Sequence, residues 1–139
     1  MKQTLLDTGP LVAFCNEADE AHEWASQEFR RLRGPLLTCE PVLAEAAHLL
    51  PKVGVDPAEV LDLVSQGILK VPLNLEQEAV ALAILMRRYR DQPMDLADAC
   101  VVRMAELFED CQVLTVDTEF QVYRRHGRQR IPLIAPFAG

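Results

Sequence analysis

The chain has 139 residues, of which half are hydrophobic, and it carries a formal net charge of −7. This length suits one domain with a single buried core, and the composition excludes a disordered or low-complexity protein. The net charge argues against a generic nucleic-acid binder, and no apolar run is long enough for a membrane span or a signal peptide, so we expect a cytoplasmic protein with no membrane partner.

Five short apolar runs, separated by turn residues, predict β-strands. Most of them are continuously apolar rather than alternating, which is typical of strands that are covered on both faces. Because helical patterns lie between them, the sequence predicts an α/β fold with a mostly parallel sheet. The predicted strands are 4–7, 35–38, 68–73, 111–117 and 131–136, and the predicted helices are about 17–33, 40–50, 56–66, 74–90, 95–109 and a short one after 118.

Neither the cysteines nor the arginines define a site on their own. The four cysteines lack the C-x-x-C spacing of a zinc site, so we expect them to pack as small, reduced hydrophobic side chains. Most basic residues fall in three clusters, and each cluster taken alone is explained as a solvated helix end. The sequence does not determine whether the clusters share a face. They are Arg30, Arg31 and Arg33; Arg87, Arg88 and Arg90; and Arg124, Arg125, Arg128 and Arg130.

Two aspartates follow predicted strands directly. Asp7 ends the first run and Asp117 ends the fourth, and each precedes a predicted turn into a helix. A helix cap explains either residue taken alone, since aspartate is favoured there. Ligands of parallel sheets, however, bind beyond the carboxyl ends of the strands, so both residues also lie where a functional site is expected.

Two helices carry carboxylates on their apolar faces. Glu45 lies on the apolar face of its helix, and so does Asp98, with Asp95 one turn earlier. An unpaired buried carboxylate is costly, and Arg103 lies too far around the helix to serve Asp98. His48, three residues beyond Glu45, is a structural partner that would account for that residue without a site.

Convergence of four carboxylates at one edge of the sheet explains them together. Like charges held close repel unless a cation neutralises them, and oxygen ligands without a histidine or cysteine set favour Mg²⁺ or Mn²⁺ over zinc. Asp95 then either supports the site or caps its helix, and the cap is the preferred interpretation. The predicted ligands of one or two ions are Asp7, Glu45, Asp98 and Asp117.

Four stretches in this order resemble the PIN domain family, and within it the VapC-type toxins and related bacterial ribonucleases. They are "LLDTGPLVAF" at 5–14, "VLAEAAHLL" at 42–50, "PMDLADACVVRMAE" at 93–106 and "LTVDTEFQVYR" at 114–124. The resemblance implies that residues 1–139 form a single PIN domain, a three-layer α/β/α sandwich around a five-stranded, mostly parallel sheet. It also implies that the four carboxylates are the acidic quartet of the family, supported by Thr8, Thr115 and Glu119.

The resemblance implies a metal-dependent endoribonuclease, the toxin of a toxin–antitoxin pair. Asp7 and Asp98 would be the main ligands, and Glu45 and Asp117 would complete the cage or orient a water. Thr115 would hydrogen-bond a carboxylate or a water. RNA is the implied substrate, and the implied partners are a second copy of the chain in a homodimer and a small antitoxin that blocks the acidic cavity.

Three other functions fit part of the sequence. The "DTG" at 7–9 is shared with aspartic proteases, but the helical patterns contradict their all-β fold. A phosphorylated receiver domain would need an acid after the run at 68–73 and a lysine after the run at 131–136, and both are missing. The main alternative is a non-catalytic PIN-like module that binds RNA or a protein.

Overall fold

A parallel sheet of five strands lies at the centre of the computed structural model, which describes residues 2–137. Its spatial order is β3-β2-β1-β4-β7, so β1 and β4 lie side by side in the middle. The five strands are β1 (Gln3–Leu6), β2 (Leu36–Leu37), β3 (Leu69–Lys70), β4 (Cys111–Leu114) and β7 (Leu133–Ile134). A short antiparallel hairpin of β5 (Arg124–Arg125) and β6 (Gln129–Arg130) precedes β7.

The five predicted strands are therefore confirmed, but several are shorter than predicted. The run at 68–73 pairs only over Leu69–Lys70, because the proline at 72 has no N–H to donate to the ladder. The run at 111–117 leaves the sheet after Leu114. Its last residues instead form the loop that carries Asp117. The hairpin of β5 and β6 was not among the predicted strands.

Six helices cover the sheet in the described residues, with two short 3₁₀ turns at Leu50–Val53 and Thr118–Gln121. They are α1 (Thr8–Cys15), α2 (His22–Arg31), α3 (Glu40–Leu49), α4 (Ala58–Ser65), α5 (Ala79–Arg88) and α6 (Leu96–Leu107). None of them, within residues 2–137, is both long enough and apolar enough to cross a membrane.

Two predicted helix starts were wrong. The helix predicted from 17 begins at His22, because the Asn16 and Asp19 side chains accept backbone N–H groups and hold the chain in a turn. The helix predicted from 74 begins at Ala79, since the Asn74 side chain likewise accepts the N–H of Gln77. The helix at Thr8–Cys15 follows the turn expected after Asp7, although the list of predicted helices omitted it.

The layers follow from the strand order. The chain moves from β1 to β2 to β3 in one direction, and the connection from β3 to β4, which contains α5 and α6, runs in the other. Right-handed crossovers place the helices of the two directions on opposite faces, so α1–α4 form one layer and α5 and α6 the other. Consecutive residues Leu5 and Leu6 are both fully buried, as a sheet covered on both faces requires. The three-layer α/β/α sandwich is thus confirmed.

The cysteines agree with the prediction that they pack as hydrophobic side chains. All four are free thiols; Cys39, Cys100 and Cys111 are buried, and Cys15 is half-buried. They fill the interior together with leucine, valine and alanine side chains that extend from β1 and β4 into the helices on either face.

Gly9 in the first turn of α1 lies against Val116 in the loop after β4. A Cβ atom on Gly9 would overlap Val116 Cγ2, so only glycine allows this close approach. The contact joins the helix that follows Asp7 to the loop that carries Asp117. The spacing between these two aspartates therefore depends on residue 9 being a glycine, which has no side chain.

We expect Gly9→Ala to destabilise the protein by about 1–3 kcal/mol in urea unfolding, because the added methyl group overpacks the contact. The sign of the change in stability is informative, since glycine to alanine elsewhere inside a helix stabilises a protein by about 0.5–1 kcal/mol. Adding Val116→Ala should restore most of the loss by removing the overlapping methyl group. A Gly9→Ala protein as stable as the unsubstituted chain would contradict the close approach.

Candidate active site

The candidate site lies at the carboxyl edge of the two central strands. The chain leaves β1 toward β2 and leaves β4 toward β7, so the crossovers diverge between β1 and β4. This divergence is the topological switch point at which parallel sheets bind ligands. Asp7 follows β1 directly, and Asp117 lies three residues beyond β4.

Thr115 joins the two strand-end aspartates. Its side chain is fully buried, and its hydroxyl donates a hydrogen bond of 2.7 Å to Asp7 Oδ2. Thr115 Oγ1 in turn accepts a hydrogen bond from the backbone N–H of Asp117 at 2.9 Å. Asp7 occupies the N-cap position of α1 without a cap hydrogen bond from its side chain, so helix capping does not explain it. Thr115 therefore orients one carboxylate directly and the backbone of the other.

Asp117 has two structural roles. Its Oδ1 accepts the backbone N–H of Glu119 at 2.9 Å and so caps the 3₁₀ turn, as the simpler interpretation of the sequence held. One carboxylate oxygen can be used in this way while the group still faces the cavity, because a carboxylate can accept several hydrogen bonds.

Asp95 and Asp98 divide their roles at the start of α6. Asp95 is exposed and is the N-cap, with its Oδ1 accepting the N–H of Asp98 at 2.8 Å. The cap interpretation is confirmed, although Asp95 also lies in the cavity wall. Asp98 is only 8 % exposed and accepts a hydrogen bond of 3.2 Å from Tyr123 Oη. The capping geometry turns the first of these carboxylates to solvent and the second into the site.

Three of the four predicted ligands come together. Asp7, Asp98 and Asp117 each place a carboxylate oxygen within 4.8 Å of the other two. They line one cavity of about 600 Å³. Glu45 is half-buried in the wall of that cavity but does not belong to this close group. Thr8 and Glu119, the predicted supporting residues, line the same cavity.

No basic side chain in the described residues neutralises this group. The ion pairs within residues 2–137 join Arg31 to Glu28, Arg103 to Glu78 and Glu106, and His126 to Glu109. Arg103 is thus engaged elsewhere, as predicted. His48 makes no ion pair with Glu45 among the residues described, so the structural explanation of Glu45 finds no support.

Burial makes the carboxyl groups of Asp7 and Asp98 weaker acids than an ordinary aspartate. It raises the pKa of Asp7 to about 6, although the Thr115 hydroxyl lowers it. Burial, then the charge of Asp95 and then that of Asp7, raises the pKa of Asp98 to about 7. The folded chain therefore holds these groups together at a free-energy cost when both are ionised.

The donor set fits a hard divalent cation. Carboxylate oxygens without sulfur or imidazole donors suit Mg²⁺ or Mn²⁺. The Thr8 hydroxyl, in the cavity wall, is buried without a hydrogen-bond partner among residues 2–137, so a bound water or ion would satisfy it. A cation would also relieve the mutual repulsion of the three aspartates.

Tyr123 is the site residue that the sequence did not reveal. It is fully buried, donates to Asp98, and packs edge-on against Tyr89 and Phe120 with ring centroids 5.2 Å apart in each pair. In the sequence it stands between an exposed valine and a run of arginines, without a periodic pattern that marks a buried position. Only the packing of the last third of the chain against α6 reveals its role.

Comparisons with known proteins agree with this fold. The family model of the PIN domain matches residues 4–125. The curated protein Ribonuclease VapC26 of Mycobacterium tuberculosis is 28% identical over 133 residues, which cover 94% of this chain and 98% of that protein. The crystal structure of Mycobacterium tuberculosis VapC20, described as a Sarcin-Ricin loop cleaving toxin, superposes with a TM-score of 0.77 at 16% identity, covering 86% of this chain and 94% of that one.

The metal-free protein should lose stability as the pH rises. Asp7 and Asp98 bind protons more tightly in the folded chain than the ordinary aspartate pKa near 3.8 allows in the unfolded chain. Stability is therefore highest at or below about pH 4 with respect to these groups, and it falls as the pH passes through about 6 and 7. Thermal unfolding in EDTA across this range measures the effect.

The matched variant is Asp98→Asn, which removes one of the two titrations. We expect its unfolding temperature in EDTA to depend less on pH and, above pH 7, to equal or exceed that of the unsubstituted chain. The corresponding gain in the free energy of unfolding is up to a few kcal/mol. A fall of several degrees at that pH would instead mean that Asp98 is a structural partner of Tyr123.

Proposed function

Because this chain belongs to the PIN domain family, we propose that it is a metal-dependent endoribonuclease whose active site is the cavity of Asp7, Asp98 and Asp117. One observation carries the proposal: three carboxylates lie within 4.8 Å of one another, at the switch point of a parallel sheet. No described basic group compensates their charge. A fold rarely gathers like charges in its interior without a ligand for them.

The names of the relatives support RNA as the substrate. One relative is called a ribonuclease, and it aligns with 94% of this chain. The structural neighbour is described as a toxin that cleaves the Sarcin-Ricin loop. By extension, the present chain would hydrolyse RNA phosphodiester bonds and act as the toxin of a toxin–antitoxin pair.

Each residue of the cavity has a proposed role. Asp7 and Asp98 would be the main ligands of one or two Mg²⁺ or Mn²⁺ ions, and Asp117 would complete the set. When bound, such an ion activates water and stabilises negative charge on phosphoryl oxygens. Glu45, in the cavity wall, would orient a water. Thr115 holds the Asp7 carboxylate in place through its 2.7 Å hydrogen bond.

The proposed partners follow from the charge of the cavity. An acidic cavity suits a small antitoxin that inserts a basic side chain. A homodimer is proposed separately, on the family resemblance alone. We also propose that residues 1–139 form one PIN domain, of which Met1 and residues 138–139 lie outside the described part. The match over 4–125 and the single parallel sheet support this extent.

The first test is cleavage of a mixed set of structured and single-stranded RNAs by purified protein, in Mg²⁺, in Mn²⁺ and in EDTA. We expect cleavage that requires metal and that Asp7→Asn abolishes, because that change removes a charged ligand from the cavity. Asp110→Asn is the matched control, since Asp110 is exposed just before β4, at the opposite edge of the sheet. It should cleave like the unsubstituted chain.

Two outcomes would count against the enzyme. Equal cleavage by the Asp7→Asn protein would trace the activity to a contaminant. RNA binding without cleavage in either metal, together with the absence of metal binding by calorimetry, would favour the non-catalytic binding module.

Thr115→Val tests how the carboxylates are held. Valine has nearly the same shape but leaves the Asp7 carboxylate and the Asp117 N–H without their partner, at about 1–3 kcal/mol for a buried group. We expect roughly 10–100-fold weaker metal affinity or activity, as is typical when a group that orients a ligand is lost. Thr115→Ser keeps the hydroxyl and should retain most of the activity; equal loss in both variants would contradict the hydrogen-bonding role.

A further inference from the structure

Two of the three arginine clusters of the sequence meet in the folded chain. Arg88 Nη1, at the end of α5, comes within 3.9 Å of the position that a Cβ atom on Gly127 would occupy in the hairpin turn. The backbone N–H of Arg124 donates to Tyr89 Oη at 2.9 Å. The end of α5 is therefore in contact with the hairpin. We call the joint surface the arginine surface; it comprises Arg87, Arg88, Arg90, Arg124, Arg128 and Arg130.

The arginine surface has no carboxylate partners among the residues described. None of its members takes part in the ion pairs of residues 2–137, and all except the half-buried Arg124 are exposed. The acids nearest the hairpin, Glu106 in α6 and Glu109 just after it, contact His126 and not these arginines, since Glu106 accepts the backbone N–H of His126 and Glu109 lies 3.8 Å from its ring. On a chain of net charge −7, this concentration of unpaired positive charge needs an explanation.

The hairpin holds like charges together at a cost to stability. Arg124 of β5 and Arg130 of β6 are directly paired across the two strands. Like charges in such a cross-strand position are destabilising. Solvated helix ends account for Arg87 and Arg88, which lie in the last turn of α5. Arg124 also has a local role, since its Nη1 donates to the carbonyl oxygens of Gln121 and Val122 at 2.7 and 3.0 Å. Neither explanation accounts for Arg130, which lies opposite Arg124 where local stability would favour another residue.

A buried tyrosine connects the arginine surface to the cavity. Tyr123 contacts Asp98 through its hydroxyl and is followed directly by Arg124. Its ring packs edge-on against Tyr89, whose hydroxyl contacts the hairpin. The path from Asp98 to Arg124 therefore crosses one side chain, that of Tyr123.

We propose that the arginine surface binds the phosphate backbone of the RNA strand beyond the position that is cleaved. Guanidinium groups suit phosphate oxygens, and a basic surface that tracks a backbone beside an acidic metal site would hold the strand across it. The inference rests on the proposed function. It adds to that function the side of the cavity along which the bound RNA strand continues past the cleaved position.

The test compares two charge-matched triple variants. The first replaces Arg88, Arg128 and Arg130 with glutamine, and the control replaces Arg30, Arg31 and Arg33. The control residues are also exposed; Arg30 and Arg31 end α2, and Arg33 follows it toward the amino end of β2, at the sheet edge opposite the cavity. Binding of a labelled single-stranded RNA is measured by fluorescence anisotropy in EDTA, which leaves the RNA intact, over a range of salt concentrations.

The expected result is a change in salt dependence. Each phosphate contact on a single strand contributes about 0.7 to the slope of log affinity against log salt, so the first variant should lose about 2 from the slope. Its affinity at ~0.1 M salt should fall by roughly 100-fold if all three arginines contact phosphates. The control should keep the slope of the unsubstituted chain.

Three results would overturn the inference: equal slope changes in both variants, no change in the first variant, or no RNA binding by the unsubstituted chain. No change in the first variant would favour a protein partner for the arginine surface. Failure of the proposed function is seen separately, as the absence of metal-dependent cleavage by the unsubstituted chain. Thermal unfolding provides a further check, since a functional surface predicts that Arg130→Gln is as stable as the unsubstituted chain or more so.

Discussion

The parallel pairing of β1 with β4 is the constraint on which the site depends. It sets Leu6 beside Leu114, and the N–H of Asp7 continues the ladder by donating to Leu114 O at 3.1 Å. The next residue on each strand is then a site residue, Asp7 on one and Thr115 on the other. A slip of one residue would turn every side chain of the strand to the other face and separate Asp7 from Thr115. The register thus fixes the hydrogen bond between Thr115 and Asp7.

The aspartate cluster is stable because the surrounding contacts over-determine it. Three carboxylates within 4.8 Å oppose folding when they are ionised, and burial raises the pKa of Asp7 and of Asp98. The sheet, the Thr115 hydroxyl, the capping box of α6 and the contact of Gly9 with Val116 hold them in place. A chain selected for stability alone would not contain this arrangement, which is why it points to a ligand.

Charge is segregated over the molecule in a way that net charge conceals. The cavity is acidic, whereas the end of α5 and the hairpin of β5 and β6 are basic. The proposed activity would use both kinds of surface: hard oxygen donors for a cation, and guanidinium groups for the strand. Tyr123 lies between them, so the aromatic packing of the last third of the chain relates the two surfaces to each other.

The parallel sheet, the aspartates at its edge and the type of every main element except α1 and the hairpin of β5 and β6 could be predicted from the sequence alone. Each of these is a property of one segment: apolar runs report burial, and a carboxylate on an apolar helix face conflicts with its own neighbours. The separation of Glu45 from the close group, the role of Tyr123 and the meeting of two arginine clusters were decided only by the tertiary structure. They depend on the distance between segments far apart in the chain, which strand register and helix packing set and no local pattern records. The turns before α2 and α5 are an intermediate case. The sequence shows the asparagine and aspartate side chains that compete with the helix there, but only the structure shows where each helix begins.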